Sequence, residues 1–223
     1  MLESSENMDS WTDRIVRECR YDYPVHKYIQ GKKNTCVDVG ANVGGFIINY
    51  HYRFNHVYAY EPSEINLKQC RANLENRKID NVTINKMAVA STGGGFATLK
   101  KYNATENCGS FGTVDFTYDN GDGWTSEGGV EEVPTISLEE IIEEVGYIDL
   151  LKVDIEGAEY DFLFDKDLSQ VGFIFMEVHN FLIEMGTQKK LVDWMIKTHD
   201  LLGPYDPDFK DYHQHLVLRN RND

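Results

Sequence analysis

Five apolar, β-branched runs each end in a residue able to bind or move a proton. Asp38 lies in Thr35-Cys36-Val37-Asp38-Val39, and Glu61 follows Val57-Tyr58-Ala59-Tyr60. Asn85 closes Val82-Thr83-Ile84-Asn85, Asp154 follows Leu150-Leu151-Lys152-Val153, and Glu177 and His179 close a run beginning at Val171. In an open parallel sheet the carboxyl ends of the strands line the ligand crevice, so polar groups on every tip mark one site. Behind Asp38 comes the glycine-punctuated turn Gly40-Ala41-Asn42-Val43-Gly44. Without a Cβ, glycine lets the chain turn sharply and a ligand lie against it. A dinucleotide fingerprint starting at Gly40 requires glycine where this chain has Asn42. An acid at that point repels a pyrophosphate and suits an ammonium or a sulfonium. S-adenosylmethionine carries both and has no phosphate.

Glu61 lies 21 positions after Gly40. An acid at the tip of the second strand can hold both ribose hydroxyls, which fits a nicotinamide dinucleotide as well as S-adenosylmethionine. The plainer alternative is a helix-start acid favoured by the helix dipole. Lys152 and Asp154, two apart on a strand, share a face. Glu156 and Glu159 are one helical turn apart at a helix start, where they serve either the dipole or a substrate. His179 shares a face with Glu177, and an imidazole of near-neutral pKa is a natural base for a hydroxyl proton. A hydrogen-bonded structural histidine is the alternative there, and it is the preferred reading of His213 and His215. Asp154, Glu177 and His179 can converge on a divalent metal, but no spacing demands one and a metal is not the favoured reading.

The elements that must position these groups follow from periodicity. Residues 11–28 read as a helix with Ser10 as N-cap, packing over or beside the ligand face. Strands over 35–39, 56–60 and 82–85 flank helices, the second capped by Ser63, and this β-α-β order implies a parallel sheet. Residues 91–133 are glycine-rich with short alternating runs such as Phe96-Ala97-Thr98-Leu99, predicting an irregular β-hairpin insertion. Asp119-Asn120-Gly121-Asp122-Gly123 resembles a calcium loop, but Val130 falls where the twelfth-position Glu belongs, so a solvated turn is expected. Ser137 caps a helix to Val145, and strands follow at 148–154 and 171–178. Helices over 158–164 and 187–198 alternate with them, and two final strands near 201–202 and 215–218 close the sheet.

A 223-residue chain with 41% hydrophobic and 12% aromatic residues suits one folded α/β domain with an insertion. Lys+Arg 22 against Asp+Glu 37 gives a net charge of −15, a field that disfavours nucleic acid and anionic membranes as partners. Cys19, Cys36, Cys70 and Cys108 form no C-x-x-C pair, as expected of free thiols in a reducing cytosol. The acidic opening Met1-Leu2-Glu3-Ser4-Ser5-Glu6 predicts no signal peptide. No apolar stretch approaches the roughly 20 residues that span a bilayer. A cytoplasmic protein is expected.

Together, Val37-Asp38-Val39-Gly40-Ala41-Asn42-Val43-Gly44, Tyr60-Glu61-Pro62, Ile136-Ser137-Leu138-Glu139 and Asp149-Leu150-Leu151-Lys152-Val153-Asp154-Ile155-Glu156-Gly157-Ala158-Glu159 resemble the FkbM family of S-adenosylmethionine-dependent methyltransferases. The last block is the most specific. The likeness spans roughly 35–180 and implies a Rossmann-like, seven-stranded, mostly parallel sheet with the last strand antiparallel. It divides the chain into a helical extension, 1–34, and a methyltransferase domain, 35–223. It implies methyl transfer to a hydroxyl on a sugar, polyketide or similar small molecule or glycan. On matching positions Asp38, Gly40 and Gly44 would bind the methionine part of the cofactor, with Asn42 in the same loop, and Glu61 the ribose. The stretch from Asn85 to Ala88 would border the adenine through backbone contacts. Asp154 would touch both cofactor and transfer site, and Glu156 and Glu159 would face the substrate. His179 or Asp154 would be the base, with Glu177 beside them. A nicotinamide-dependent oxidoreductase and a non-catalytic binding module of the same fold are the competing readings. N-methylation motifs such as N/D-P-P-Y/F are absent after the fourth strand.

Overall fold

A computed structural model describes residues 22–101, 111–113, 130–179, 186–206 and 213–223. The Asp119–Gly123 turn and residues 11–21 of the first predicted helix lie outside the described residues.

The main sheet has seven strands. They are β1 (Lys33–Val39), β2 (Phe54–Tyr60), β3 (Val82–Asn85), β8 (Ile148–Val153), β9 (Val171–His179), β10 (His199–Leu201) and β11 (His213–Asn220). Their order is β10-β11-β9-β8-β1-β2-β3. The pairs of β1 with β2 and β8, of β2 with β3 and of β8 with β9 are parallel, whereas β11 runs antiparallel to both its neighbours. The register sets the site. Asn85, Tyr60, Val39, Val153 and Met176 stand in one row across five strands. The next residues, Glu61, Gly40, Asp154 and Glu177, therefore emerge at one level.

Because helices cover both faces, the central strands are mostly apolar, as in parallel sheets generally. Val37, Val39, Leu151 and Val153 pack with Ile141 of α4 (Leu138–Val145), Phe162 of α5 (Glu159–Leu163) and Leu191 of α6 (Thr187–Met195). Cys36, Leu150 and Phe175 face the other layer, with Val25 of α1 (Asp22–Tyr28), Ile47 of α2 (Gly45–Tyr50) and Leu74 of α3 (Glu64–Asn76). Asp38 and Lys152 share the parity of Cys36 and Leu150 and so belong to this second face.

The predicted caps at Ser63 and Ser137 form, and Ser10 lies outside the described residues. Ser63 accepts from the Asn66 amide at 3.4 Å, and Ser137 and Glu140 make a reciprocal capping box. Three expectations shift. The described part of the first helix does not lie over the ligand face: Tyr28 stacks on Phe173 near the start of β9 and donates to the Leu202 carbonyl at 3.3 Å. The apolar residues Val25 and Ile29 draw it onto the amino-end side of the sheet. The last helix stops at Met195, because His199 is buried in β10 with Nε2 2.9 Å from the Val171 carbonyl. The insertion builds more than a hairpin. Here β4 (Ala88–Val89), β5 (Phe96–Lys101), β6 (Phe111–Thr113) and β7 (Val130–Ile136) form a second sheet ordered β4-β7-β5-β6, with its own small core of Ala88, Leu99 and Val133. Among the described residues no helix is long and apolar enough to cross a membrane.

Candidate active site

The turn after β1 rests directly on the end of β8. Gly40 has φ +76°, and a Cβ there would sit 1.8 Å from the Asp154 carbonyl oxygen. The loop is pinned from both sides: the Gly40 amide donates to the Tyr60 carbonyl at 2.9 Å, and the Asp154 amide to the Val39 carbonyl at 3.1 Å. Gly44 serves a different contact, since a Cβ on it would meet Cys70 Sγ of α3 at 2.9 Å. Its role is to seat the helix, and it does not line the cavity at the strand tips.

Glu61 is the anchor of that cavity. It is buried, and its Oε2 accepts from the Asn42 amide at 2.8 Å while Oε1 accepts from the Ser63 amide at 2.9 Å and Asn66 Nδ2 at 3.2 Å. Three donors fix the carboxylate, and an ionised carboxylate has about four acceptor positions. Burial raises its pKa, against the pull of these donors. Gly40, Asn42, Glu61, Asp154 and Glu156 supply the polar wall. Met87, Ala88, Val89, Leu99 and Ile155 supply the apolar one. Asn85 stands one step back: its carbonyl accepts from the Glu61 amide at 3.1 Å, and the residues after it reach the cavity. The cavity wall contains no Lys or Arg side chain among the described residues.

Beneath the loop lies a buried ion pair that sequence reading did not foresee. Lys152 pairs in register with Asp38 across β8 and β1. Its Nζ is 3.1 Å from Asp38 Oδ1, 2.8 Å from the Gly40 carbonyl and 3.8 Å from Asp154 Oδ2. Asp38 is fully buried and does not line the cavity. Burial works to lower the lysine's pKa, but Asp38 and Asp154 hold it well above its ordinary value. Burial raises that of Asp38, opposed by Lys152. The acid expected to meet a ligand's ammonium therefore meets the protein's own. The signal was a lysine inside an otherwise apolar strand.

The tips of β8 and β9 bring the remaining candidates together. His179 Nδ1 is 2.8 Å from Glu159 Oε1, which also accepts from the Gly157 amide at 3.1 Å. Its Nε2 lies 3.4 Å from Glu156 Oε2, 3.9 Å from Asp154 Oδ1 and 3.9 Å from Glu177 Oε1. Burial alone would depress this imidazole's pKa. The hydrogen bond and charge of Glu159, with Glu156 and Asp154, outweigh it and push the pKa up to about 10. These acids favour the imidazolium form of His179, where the sequence predicted a near-neutral base. Burial also raises Asp154 and brings Glu156 up to about 7. Glu159, expected to face the substrate, is fully buried behind His179. His215, read as structural, reaches the group, with Nε2 3.1 Å from Glu177 Oε2. The side chain of His213 lies outside the described residues. Leu99 was missed as well: Phe96 and Leu99 fall on opposite faces of β5, and nothing in the run singles out the one that lines the cavity.

A seven-stranded sheet with one reversed strand next to its edge, and an acid–glycine loop at the tip of β1, defines a Rossmann-like methyltransferase fold. The sequence matches the methyltransferase FkbM domain over residues 38–222, and the chain belongs to that family. Among curated proteins none matches it. Of solved structures, an rRNA methylase from Streptococcus thermophilus shares 11% identity at a TM-score of 0.50, over 95% of this chain and 94% of its own. A ribosomal protein L11 methylase from Lactobacillus delbrueckii subsp. bulgaricus shares 10% at 0.50, over 94% of this chain and 79% of its own. The methyltransferase FkbM from Methylobacillus flagellatus KT shares 15% at 0.48 over 83% of this chain, which spans 43% of that protein.

Proposed function

We propose that the protein transfers the methyl group of S-adenosylmethionine to a hydroxyl oxygen of a sugar, polyketide or similar small molecule or glycan. The observation that carries this reading is the cavity itself, with Glu61 on one side and the Asp154–Glu156 carboxylates, backed by His179, on the other. The cofactor's groups suit these walls. Glu61 offers a carboxylate to a ribose hydroxyl, Asp154 and the loop around Gly40 and Asn42 suit the methionine end, and Met87, Val89, Leu99 and Ile155 suit an adenine. When bound, S-adenosylmethionine supplies an activated sulfonium methyl. The residues then have two tasks, to align the acceptor in line with it and to take the hydroxyl's proton. Because the surrounding acids favour a protonated His179, we assign proton removal to the Asp154–Glu156 pair, with His179 holding the two carboxylates in place.

Against a nicotinamide dinucleotide stands Asn42 where its fingerprint requires glycine, and among the described residues no Lys or Arg side chain lines the cavity to meet a pyrophosphate. A nucleic-acid acceptor has one point in its favour, that an rRNA methylase shares the fold. The net charge of −15 and the carboxylates at the site weigh against a phosphate backbone. Cys36 and Cys70 are free and buried, and Cys19 and Cys108 lie outside the described residues.

The test is transfer of labelled methyl from S-adenosylmethionine to a panel of sugars and polyhydroxylated small molecules, with an rRNA transcript alongside. Label is expected on a hydroxyl acceptor and not on RNA. Asp154→Asn should lower kcat by about 10²–10⁴, the usual weight of a positioned proton acceptor. Label on RNA alone would reverse the assignment of substrate.

A further inference from the structure

We propose that Asp154, Glu156 and His179 form a binding site for one first-row divalent metal ion at the cavity wall. One oxygen of each carboxylate and one ring nitrogen lie within 4.8 Å of one another, although the residues come from two different strand ends. His179 is already presented as a ligand. Its Nδ1 is tied to the buried carboxylate of Glu159 at 2.8 Å, so Nε2 points at the acids. A histidine that binds a metal characteristically uses its other ring nitrogen in this way, on a carboxylate that fixes its orientation. The spacing is close to that of a metal's ligands, and with the set spanning up to 4.8 Å a carboxylate would move inward to close on the ion. Two ligands on a tetrahedral ion with bonds of about 2.1 Å stand roughly 3.4 Å apart, and Nε2 lies 3.4 Å from Glu156 Oε2 and 3.9 Å from Asp154 Oδ1.

Charge is a second, independent pointer. Asp154, Glu156, Glu159 and Glu177 crowd around His179, with His215 on Glu177 and Lys152 shared between Asp154 and Asp38. Among the described residues, four carboxylates thus stand within 4 Å of His179. Glu159 is fully buried, and its Oε2 makes no hydrogen bond. Carboxylates this close disfavour one another's ionised form unless a counter-charge joins them. An ion on Asp154, Glu156 and Nε2 supplies it, displacing the Nε2 proton to solvent. Mixed carboxylate and imidazole donors suit Mn²⁺, Fe²⁺ or Zn²⁺ better than Mg²⁺ or Ca²⁺. Glu177, the ligand that sequence reading put in this set, turns its Oε2 to His215 at 3.1 Å, and Glu156 takes its place. Asp154 and Glu156 also line the cavity, so the ion would keep an open coordination position toward it. There it would hold the acceptor's hydroxyl and lower its pKa, the proton then passing to water in place of the Asp154–Glu156 pair, a role that rests on the proposed transfer reaction; the binding itself does not.

The experiment is a Mn²⁺ titration of the chelator-treated full chain, followed by electron paramagnetic resonance, with Zn²⁺ as competitor and circular dichroism confirming the fold. One Mn²⁺ per chain, displaced by Zn²⁺, is expected. Glu156→Gln and His179→Asn should each weaken binding at least about tenfold and Glu159→Gln about 10–100-fold, while the surface variant Asp200→Asn leaves it unchanged. Should His179→Asn fail to fold, Glu156→Gln carries the test, because that side chain is 35% exposed. No stoichiometric binding, or binding that survives Glu156→Gln, overturns the site. Calorimetry with S-adenosylhomocysteine on the metal-free protein separates the two ideas. If that compound binds and Mn²⁺ does not, the metal site falls alone; Mn²⁺ bound without it leaves the site standing and removes the methyltransferase reading.

Discussion

Replacing Gly40 by alanine is expected to cost at least a hundredfold in affinity for S-adenosylhomocysteine. The added Cβ would lie 1.8 Å from the Asp154 carbonyl oxygen and 3.2 Å from Ile155 Cγ2. The nearer atom is backbone, held in place by the Asp154 amide bond to Val39, so no side-chain rotation relieves the clash. The loop must lift from β8, taking with it the Gly40 carbonyl that Lys152 holds at 2.8 Å and the Asn42 amide that orients Glu61. Overpacking of this kind costs about 1–3 kcal/mol, and a non-glycine residue in the left-handed region adds about 1–2. Gly94→Ala is the control: φ there is +71°, but a Cβ would meet nothing within 4 Å. Only the backbone term should appear in its urea denaturation, and binding should match the parent chain. Equal affinity in Gly40→Ala and parent would show that the loop is not the cofactor's seat.

The second large effect belongs to Lys152. Substitution by methionine keeps most of the side chain's length and removes its charge, leaving Asp38 fully buried without this cation. Breaking a buried pair from one side costs about 3–5 kcal/mol, because the remaining charge has neither water nor partner. Unfolding of Lys152→Met in urea should show a loss of that size. The double variant Lys152→Met/Asp38→Asn should recover at least half of it, since the stranded charge is gone. A coupling energy near zero between the two positions, measured as a double-mutant cycle, would contradict the central place given to this pair.

Both residues show what could be read in advance and what could not. The strand tips were legible because each parallel strand is buried on both faces, so an acid after an apolar run stands out, and the sheet's register then brings Glu61, Gly40, Asp154 and Glu177 to one level. The glycine loop was legible as a turn, but the separate jobs of Gly40 and Gly44 depend on what lies opposite: a β8 carbonyl for one and Cys70 of α3 for the other. Lys152 and Asp38 are 114 positions apart, and only strand pairing makes them neighbours, so Asp38 read as an exposed ligand for a cation. His179 is the clearest case. Its charge state is set by Glu159, Glu156 and Asp154 from another strand end, and no local pattern around His179 reveals them. Leu99 was obscured differently, since a glycine-rich insertion gives little reason to place one of its residues in the main cavity wall.

The most direct measurement is calorimetric titration of the purified chain with S-adenosylhomocysteine, with NADH run in parallel. Micromolar binding of the former, about −8 kcal/mol, with no heat from NADH is the predicted result. Binding of NADH alone would contradict the reading of the Gly40 loop and Glu61. Binding of neither would contradict catalysis by S-adenosylmethionine altogether.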